Sequence, residues 1–266
     1  METTDLQIAI IGAGNMGGAI ARGLSKGNLI QTKNIRVSDV SQSNLDALKA
    51  FAPDITVSNS NRDIIKDANI VILAVKPWLV ESVAEELENK FDYKKQIVVS
   101  IAAGVDFEQL TKYFNTDATI FRIIPNTAID VQQIVSTIAS FNATKEQEQL
   151  IVEMFAELGK TFLVPESQLN AFMSLSSCGI AYAFRYIRAA TEGGVEMGIY
   201  PSTAKEVVIQ TLRGAIELLE ANGTHPEVEI DKVTTAGGTT IKGLNEMEAQ
   251  GFTNAVIKGL KASHLK

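Results

Sequence analysis

The feature that most constrains this chain is the run Gln7-Ile8-Ala9-Ile10-Ile11-Gly12-Ala13-Gly14-Asn15-Met16-Gly17. Apolar residues lead without a break into G-A-G-N-M-G, and Met16, Ile20 and Leu24 then recur every fourth residue. That is the pattern of a strand, a tight glycine turn and a helix. The three glycines have different tasks. Gly12 permits the sharp turn, Gly14 lets a pyrophosphate reach the backbone, and Gly17 lets the helix sit close on the strand. The helix start, with Ala13, Asn15 and Met16 around it, offers free N–H groups and the positive end of the helix dipole to phosphates. A lone G-x-G-x-x-G is also the pattern of an ordinary tight turn. Here a strand precedes it and Ser38-Asp39 closes a second strand pattern, with Asp39 22 residues past Gly17. That context favours dinucleotide binding.

The composition sets the frame around this motif. At 266 residues, with 45% hydrophobic and 21% charged residues, the chain can bury a real core and is expected to hold two domains. The net charge of −7 and the lack of any basic cluster argue against nucleic acid and anionic membranes as partners. The longest apolar run, Ile70 to Val75, is far too short to span a bilayer. The N-terminal Met1-Glu2-Thr3-Thr4-Asp5 is acidic and leads straight into the first strand, which is not the pattern of a signal peptide. A single cysteine, Cys178, excludes an internal disulfide framework and fits a cytoplasmic location. With His225 and His264 it makes no recognisable metal site.

Taken in order, the first part of the chain alternates strand and helix patterns, the mark of a parallel sheet with helices on its faces. Strands are expected at Ile35–Val37, Ile55–Val57, Ile70–Val75, Gln96–Ser100, Thr119–Ile123, Ile134–Phe141 and Thr161–Val164. A helix is expected over Asn44–Ala50, and Lys76-Pro77 stops a strand where a helix can start. Asp106 with Gln109 and Thr144 with Gln147 read as capping boxes, the second opening a helix that Gly159 ends. From Pro165 onward no convincing strand pattern remains. Thr203-x-x-Glu206 reads as a capping box for a helix with Val208, Leu212, Ala215 and Leu219 on one side, ended by Asn222-Gly223. Two more helices follow, one starting near Gly238 with Ile241 and Leu244 inward, and one after Gly251 with Val256 and Leu260.

Several constellations have both a chemical and a bland reading. Asp39 can accept the adenine-ribose hydroxyls, or be a solvated turn residue. Lys76, in Ala74-Val75-Lys76-Pro77 at the carboxyl end of a buried strand, either borders a ligand or simply caps the strand in solvent. In Thr234-Thr235-Ala236-Gly237-Gly238-Thr239-Thr240, small residues at a helix start make a nest suited to a carboxylate or phosphate, or only an N-cap with flexible glycines. Ser176-Ser177-Cys178-Gly179 fits close helix packing better than a nucleophile turn, because no histidine stands ready to activate it. Tyr182 and Tyr186 fit core or interface, and His225-Pro226 fits a turn or helix entry.

Together these motifs resemble the pyrroline-5-carboxylate reductases, which make proline from a cyclic imine. The resemblance spans nearly the whole chain in the family's order. It is carried by Ile11 to Gly17, Asn61, Ala74 to Pro77, Ser100 to Val105, Arg122 with Pro125-Asn126-Thr127, Gly179 with Ala181-Tyr182, His225-Pro226, Asp231-x-Val233 and Gly237 to Thr240. It implies an α/β fold. A Rossmann-type dinucleotide-binding domain with a mostly parallel sheet (1–164) would precede an all-helical dimerisation and substrate domain (165–266) like the C-terminal domain of 6-phosphogluconate dehydrogenases. It implies NADPH or NADH as cofactor, with Asn61, Ala74, Val75, Lys76 and Pro77 lining it. It further implies that Thr235, Gly238, Thr239 and Thr240 bind the substrate carboxylate and ring nitrogen, Thr240 supplying the hydroxyl near the imine. A homodimer is expected, with a ring of stacked dimers as an open alternative.

The chain also departs from the family pattern. The family usually reads S-G-S-G-P-A-Y where this chain has Ser176-Ser177-Cys178-Gly179-Ile180-Ala181-Tyr182, and it has proline at the positions of Ala128 and Ala236. Lost prolines and a lost glycine change backbone stiffness. The departures leave open a paralogous reductase of another imine or keto acid, and a non-catalytic dinucleotide sensor stands as an alternative from another class.

Overall fold

A computed structural model of the chain describes residues 5–264. The acidic N-terminal run 1–4 lies outside the described residues. The chain forms two compact units, one through Ser177 and one from Cys178.

The first unit is built on one eight-stranded sheet. Its strands are β1 (Ile8–Ile11), β2 (Ile35–Ser38), β3 (Thr56–Ser58), β4 (Ile70–Leu73), β5 (Ile97–Ser100), β6 (Thr119–Ile124), β7 (Ile134–Phe141) and β8 (Gly159–Leu163). They lie in the order 3-2-1-4-5-6-7-8. All neighbours are parallel except β6 and β7. Those two strands are joined only by a 3-10 turn, Thr127–Val131, too short for the crossover that a parallel neighbour needs. The helices are α1 (Asn15–Leu24), α2 (Gln42–Phe51), α3 (Asn61–Ile65), α4 (Val80–Leu87), α5 (Phe107–Tyr113), α6 (Lys145–Ala156) and the short α7 (Leu169–Met173).

Burial on both faces explains the continuous apolar strands. Ile8 and Ile10 of β1, with Ile70 and Ile72 of β4, pack into one core with α1 and α2. Ala9 and Ile11, with Val71 and Leu73, pack into the opposite core with α4 and α5. Successive side chains alternate between the faces, so a strand buried on both must be apolar throughout. Strand order reverses about β1. Crossovers from β1 to β2 and from β3 to β4 therefore run in opposite directions and open a crevice at the carboxyl ends of β1 and β4.

The second unit is helical: α8 (Gly179–Glu196), α9 (Pro201–Asn222), α10 (Pro226–Lys232), α11 (Thr239–Ala249) and α12 (Phe252–Ala262). Helices α8 and α9 approach closely where Gly194 meets Ala204, 3.0 Å from where a Cβ on the glycine would stand. Gly223 ends α9 in the left-handed conformation. His225 caps α10, its Nδ1 accepting the Glu227 N–H at 3.3 Å. Bonds from Lys232, Thr224 and Asn222 hold the Glu229 carboxyl below its usual range, fastening the corner between α9 and α10. Within the described part of this unit, the one hydrophobic side chain buried is Ala204, while Phe184, Val195, Met197, Tyr200, Val207, Ile216 and Leu218 are exposed. No helix among the described residues is long and apolar enough to cross a membrane.

Three local expectations are corrected. Gly159 does not end α6, which stops at Ala156; it opens β8 with φ +153°, and a Cβ there would come within 2.5 Å of the Ile134 nitrogen. Close pairing with β7, not helix termination, requires that glycine. Thr203 caps nothing: α9 starts two residues earlier at Pro201, whose fixed φ and missing N–H suit the first helical position, with Tyr200 at the N-cap. The strand expected to reach Val75 ends at Leu73.

Gly17 packs so tightly that a Cβ there would drive into the Gly12 carbonyl oxygen and come within 2.7 Å of Ala74 Cβ. Gly17→Ala is expected to destabilise the protein by about 1–3 kcal/mol through overpacking. Thermal or urea unfolding checks this, with Gly14→Ala, a position with nothing within 4 Å, as the control.

Candidate functional site

The crevice is built from the carboxyl ends of β1, β2 and β4, where Ile11 pairs with Ser38 on one side and Leu73 on the other. Gly12 has φ +103°, and a Cβ on it would lie 2.6 Å from the Ala74 carbonyl oxygen. Ala74 is held under the turn, its N–H donating to the Ile11 carbonyl at 2.8 Å. Gly14 is different: it is exposed, and no atom lies within 4 Å of its Cβ position. It caps α1 with its backbone and makes no side-chain cap, so no capping side chain occupies the first N–H groups of the helix at Asn15, Met16 and Gly17. An open cradle of amides at the positive end of a helix fits a dinucleotide pyrophosphate. The residues present therefore suit the group that the glycine motif implies.

Asp39 is already at work. Its Oδ2 accepts the Ala13 N–H at 2.6 Å, and its Oδ1 accepts the Ser41 N–H at 2.7 Å. The carboxylate thus clips the glycine turn of β1 to the start of α2. Asn44 Nδ2 adds a long bond to Oδ2 at 3.5 Å. A carboxylate has about four lone-pair sites, so one remains for a ribose hydroxyl. Ser38 is fully buried; its carbonyl accepts the Gly12 N–H at 2.7 Å and its hydroxyl donates to Asn61 Oδ1 at 2.7 Å. Asn61 opens α3 and passes a further bond from Nδ2 to Glu86 Oε2 at 2.8 Å. Lys76 is exposed, and Pro77 starts a 3-10 turn beside it, with Val75 half-buried behind. The sequence reading of this group thus lands on one edge of one sheet. Glu86 was missed, since nothing in a 25-residue separation from Asn61 signals a contact.

The second glycine stretch lies in the other unit. Gly237 has φ +71°, and the Gly238 N–H donates to the Thr235 carbonyl at 2.9 Å. Gly238 then caps α11 with its backbone, and Thr239 and Thr240 occupy its first turn with exposed side chains. A Cβ on Gly238 would lie 2.7 Å from Thr235 Oγ1, so the glycine is what lets that hydroxyl sit over the helix start.

Two departures from the family pattern make bonds of their own. Ala128 donates its N–H to Asn126 Oδ1 at 3.2 Å, a bond proline cannot make. Ser177 donates its hydroxyl to the Pro125 carbonyl at 2.9 Å, a bond glycine cannot make.

A pyrroline-5-carboxylate reductase dimerisation model matches residues 166–266, and an NADP oxidoreductase, coenzyme F420-dependent, model matches residues 7–104. The chain is 37% identical to a pyrroline-5-carboxylate reductase of Methanosarcina acetivorans, covering 97% of this chain and 96% of that protein. It is 34% identical to pyrroline-5-carboxylate reductase 1 of Dictyostelium discoideum over 99% of this chain, which spans 49% of that longer protein. A Plasmodium falciparum pyrroline carboxylate reductase crystallised with NADP shares the fold, with a TM-score of 0.88 at 23% identity, over 99% of this chain and 96% of that one.

Both Asp39 oxygens accept backbone N–H groups, so Asp39→Asn must turn an NH2 against one of them. The variant is expected to lose about 1–3 kcal/mol of stability and to bind dinucleotide at least tenfold more weakly. Thermal unfolding and a fluorescence titration with NADH check both effects.

Proposed function

The chain belongs to the pyrroline-5-carboxylate reductase family, and we propose that it reduces 1-pyrroline-5-carboxylate to L-proline with NAD(P)H, the last step of proline biosynthesis. The observation that carries this reading is the open amide cradle at Gly14 on the start of α1, at the reversal point of the sheet. It is joined by the match of residues 166–266 to the family's dimerisation domain. Residues 1–164 serve as the dinucleotide-binding domain and 165–266 as the dimerisation and substrate domain. The lone thiol Cys178 suits a reducing cytoplasm.

When bound, the dinucleotide supplies the hydride, and a protonated imine needs no further strong acid to accept it at carbon. The chain's own residues bind and orient. The first-turn amides of α1 with Ala13 hold the pyrophosphate, Asp39 accepts from the adenine ribose, and Asn61 with Ala74, Val75, Lys76 and Pro77 lines the rest of the cofactor. The amides from Gly238 to Thr240 hold the substrate carboxylate, helped by the Thr235 hydroxyl, and Thr240 Oγ1 orients the ring nitrogen. Charge-assisted bonds of this kind contribute about 1.5–3 kcal/mol each. Alignment of the imine carbon acts on the transition state and not on ground-state binding.

The departures at Ala236, Ser177, Cys178 and Ile180 favour one second reading, a reductase of a related cyclic imine. Oxidation of NADH and NADPH with a panel of cyclic imines tests both. The expected outcome is turnover with pyrroline-5-carboxylate exceeding that with its ring homologues. NADH should serve at least as well as NADPH, because a 2′-phosphate would face the Asp39 charge. A tenfold preference for NADPH would count against that role of Asp39.

Thr240→Val keeps the side-chain shape and removes the hydroxyl. It is expected to lower kcat by tenfold or more while leaving the NADH dissociation constant unchanged; wild-type kcat in this variant would remove Thr240 from the mechanism. The uncovered apolar side chains of α8 and α9 suit a homodimer, in which a second copy buries them. Sedimentation should show a dimer or a multiple of it at micromolar concentration, and a stable, active monomer would overturn this.

A further inference from the structure

We propose that Glu86 is a positioning residue for the cofactor site, acting on the dinucleotide only through the side chain of Asn61. The proposal rests on the reading above that Asn61 touches the cofactor.

Three side chains from three elements form a relay at the carboxyl edge of the sheet. Ser38 is the last residue of β2, Asn61 the first of α3, and Glu86 lies in the last turn of α4. The Ser38 hydroxyl and Asn61 Oδ1 stand 2.7 Å apart, and Asn61 Nδ2 and Glu86 Oε2 stand 2.8 Å apart. A hydroxyl can donate or accept, and an amide has one end of each kind, so Ser38 and Asn61 alone leave the amide free to face either way. An ionised carboxylate only accepts. With Glu86 at one end, the NH2 of Asn61 must face it, Oδ1 must face Ser38, and the Ser38 proton must point outward along the chain. The charge at the exposed end thus sets the direction of every bond back to a fully buried hydroxyl.

Glu86 is itself restrained. Arg62 Nε lies 3.9 Å from its Oε1, and Arg62 Nη2 donates to its backbone carbonyl at 3.4 Å. Asn61 keeps one N–H on Nδ2 and one lone pair on Oδ1 uncommitted, in an orientation chosen before any ligand arrives. A group oriented in advance gives up less freedom on binding, so Glu86 should raise dinucleotide affinity without touching the dinucleotide.

Binding of NADH and of NADPH to the full-length enzyme, followed by nicotinamide fluorescence without substrate, tests this. Asn61→Ala, Glu86→Ala, Glu86→Gln and the double alanine variant are compared. Glu86 sits on an exposed helix face, so its variants should fold. Glu86→Ala is expected to weaken both cofactors by a similar factor of about five, the effect of one lost hydrogen bond. Glu86→Gln puts an amide that can donate as well as accept in that place, so it no longer fixes the direction of the relay and should recover little of that loss; full recovery would overturn the proposal. The double variant should bind no more weakly than Asn61→Ala alone, because the second residue then has nothing to position. Additive losses in the double variant would overturn the proposal, as would tighter NADPH binding in Glu86→Ala, which would mark a direct charge effect. Loss in Asn61→Ala with none in Glu86→Ala would overturn the positioning role while leaving the Asn61 reading intact. Unchanged binding in Asn61→Ala would overturn that underlying reading, and the proposal with it.

Discussion

The cofactor end of this molecule depends on how closely the first helix approaches the first and fourth strands. Gly12, Gly17 and Ala74 meet there with no room for another methyl group. That contact sets the start of α1 directly above the carboxyl end of β1, which aims the free amides and the helix dipole into the crevice where strand order reverses. A single added carbon would move the helix and, with it, every group that faces a phosphate. Interiors are close-packed, so such a shift cannot be absorbed locally.

Around that contact the sheet edge is tied by polar side chains, while the strand centres are apolar. Asp39 clips the glycine turn to α2, and Ser38, Asn61 and Glu86 tie β2 to α3 and α4. A third tie lies further along the edge. Arg122 on β6 is buried, donates to Glu166 at 2.5 Å and lies over the Phe107 ring, while the same Glu166 oxygen accepts the Phe107 N–H at 2.7 Å. A buried guanidinium without its carboxylate would be strongly destabilising, so this pair specifies where the chain leaves β8 more than it adds stability. Such ties suit a surface that must hold a polar ligand in one pose.

The helical unit follows the opposite logic. Its helices carry apolar residues beyond those that its own packing covers; Gly194 and Ala204 mark a close approach of α8 and α9, and Tyr182 of α8 reaches the Gly259 carbonyl of α12. A unit with so little buried side-chain surface cannot be stable on its own account, because the entropy of ordering its residues has to be offset by burial somewhere. Residues 166–266 match a pyrroline-5-carboxylate reductase dimerisation domain, and apolar faces of this kind are what such a domain would present.

Much of this was legible in the residues alone. The strand–glycine–helix opening, the doubly buried strand at Ile70–Leu73, the caps at Asp106 and Thr144 and the αL ending at Gly223 are local patterns. Neighbours in sequence decide them, through periodicity, capping chemistry and glycine's freedom. The cradle at Gly14 was legible for the same reason. The role of Gly159 was not, because a strand distant in sequence, β7, is what demands it. Thr203 misled because a capping pattern competes with a proline two residues before it, and the proline's fixed φ prevails. The reach of Asp39 to the Ala13 N–H, the pairing of Arg122 with Glu166 and the relay from Ser38 through Asn61 to Glu86 join groups 23 to 44 residues apart. No spacing rule encodes such distances. The sequence determined the elements and the chemistry they carry; only the tertiary structure decided which polar groups meet, because that follows from how the strands are ordered in the sheet.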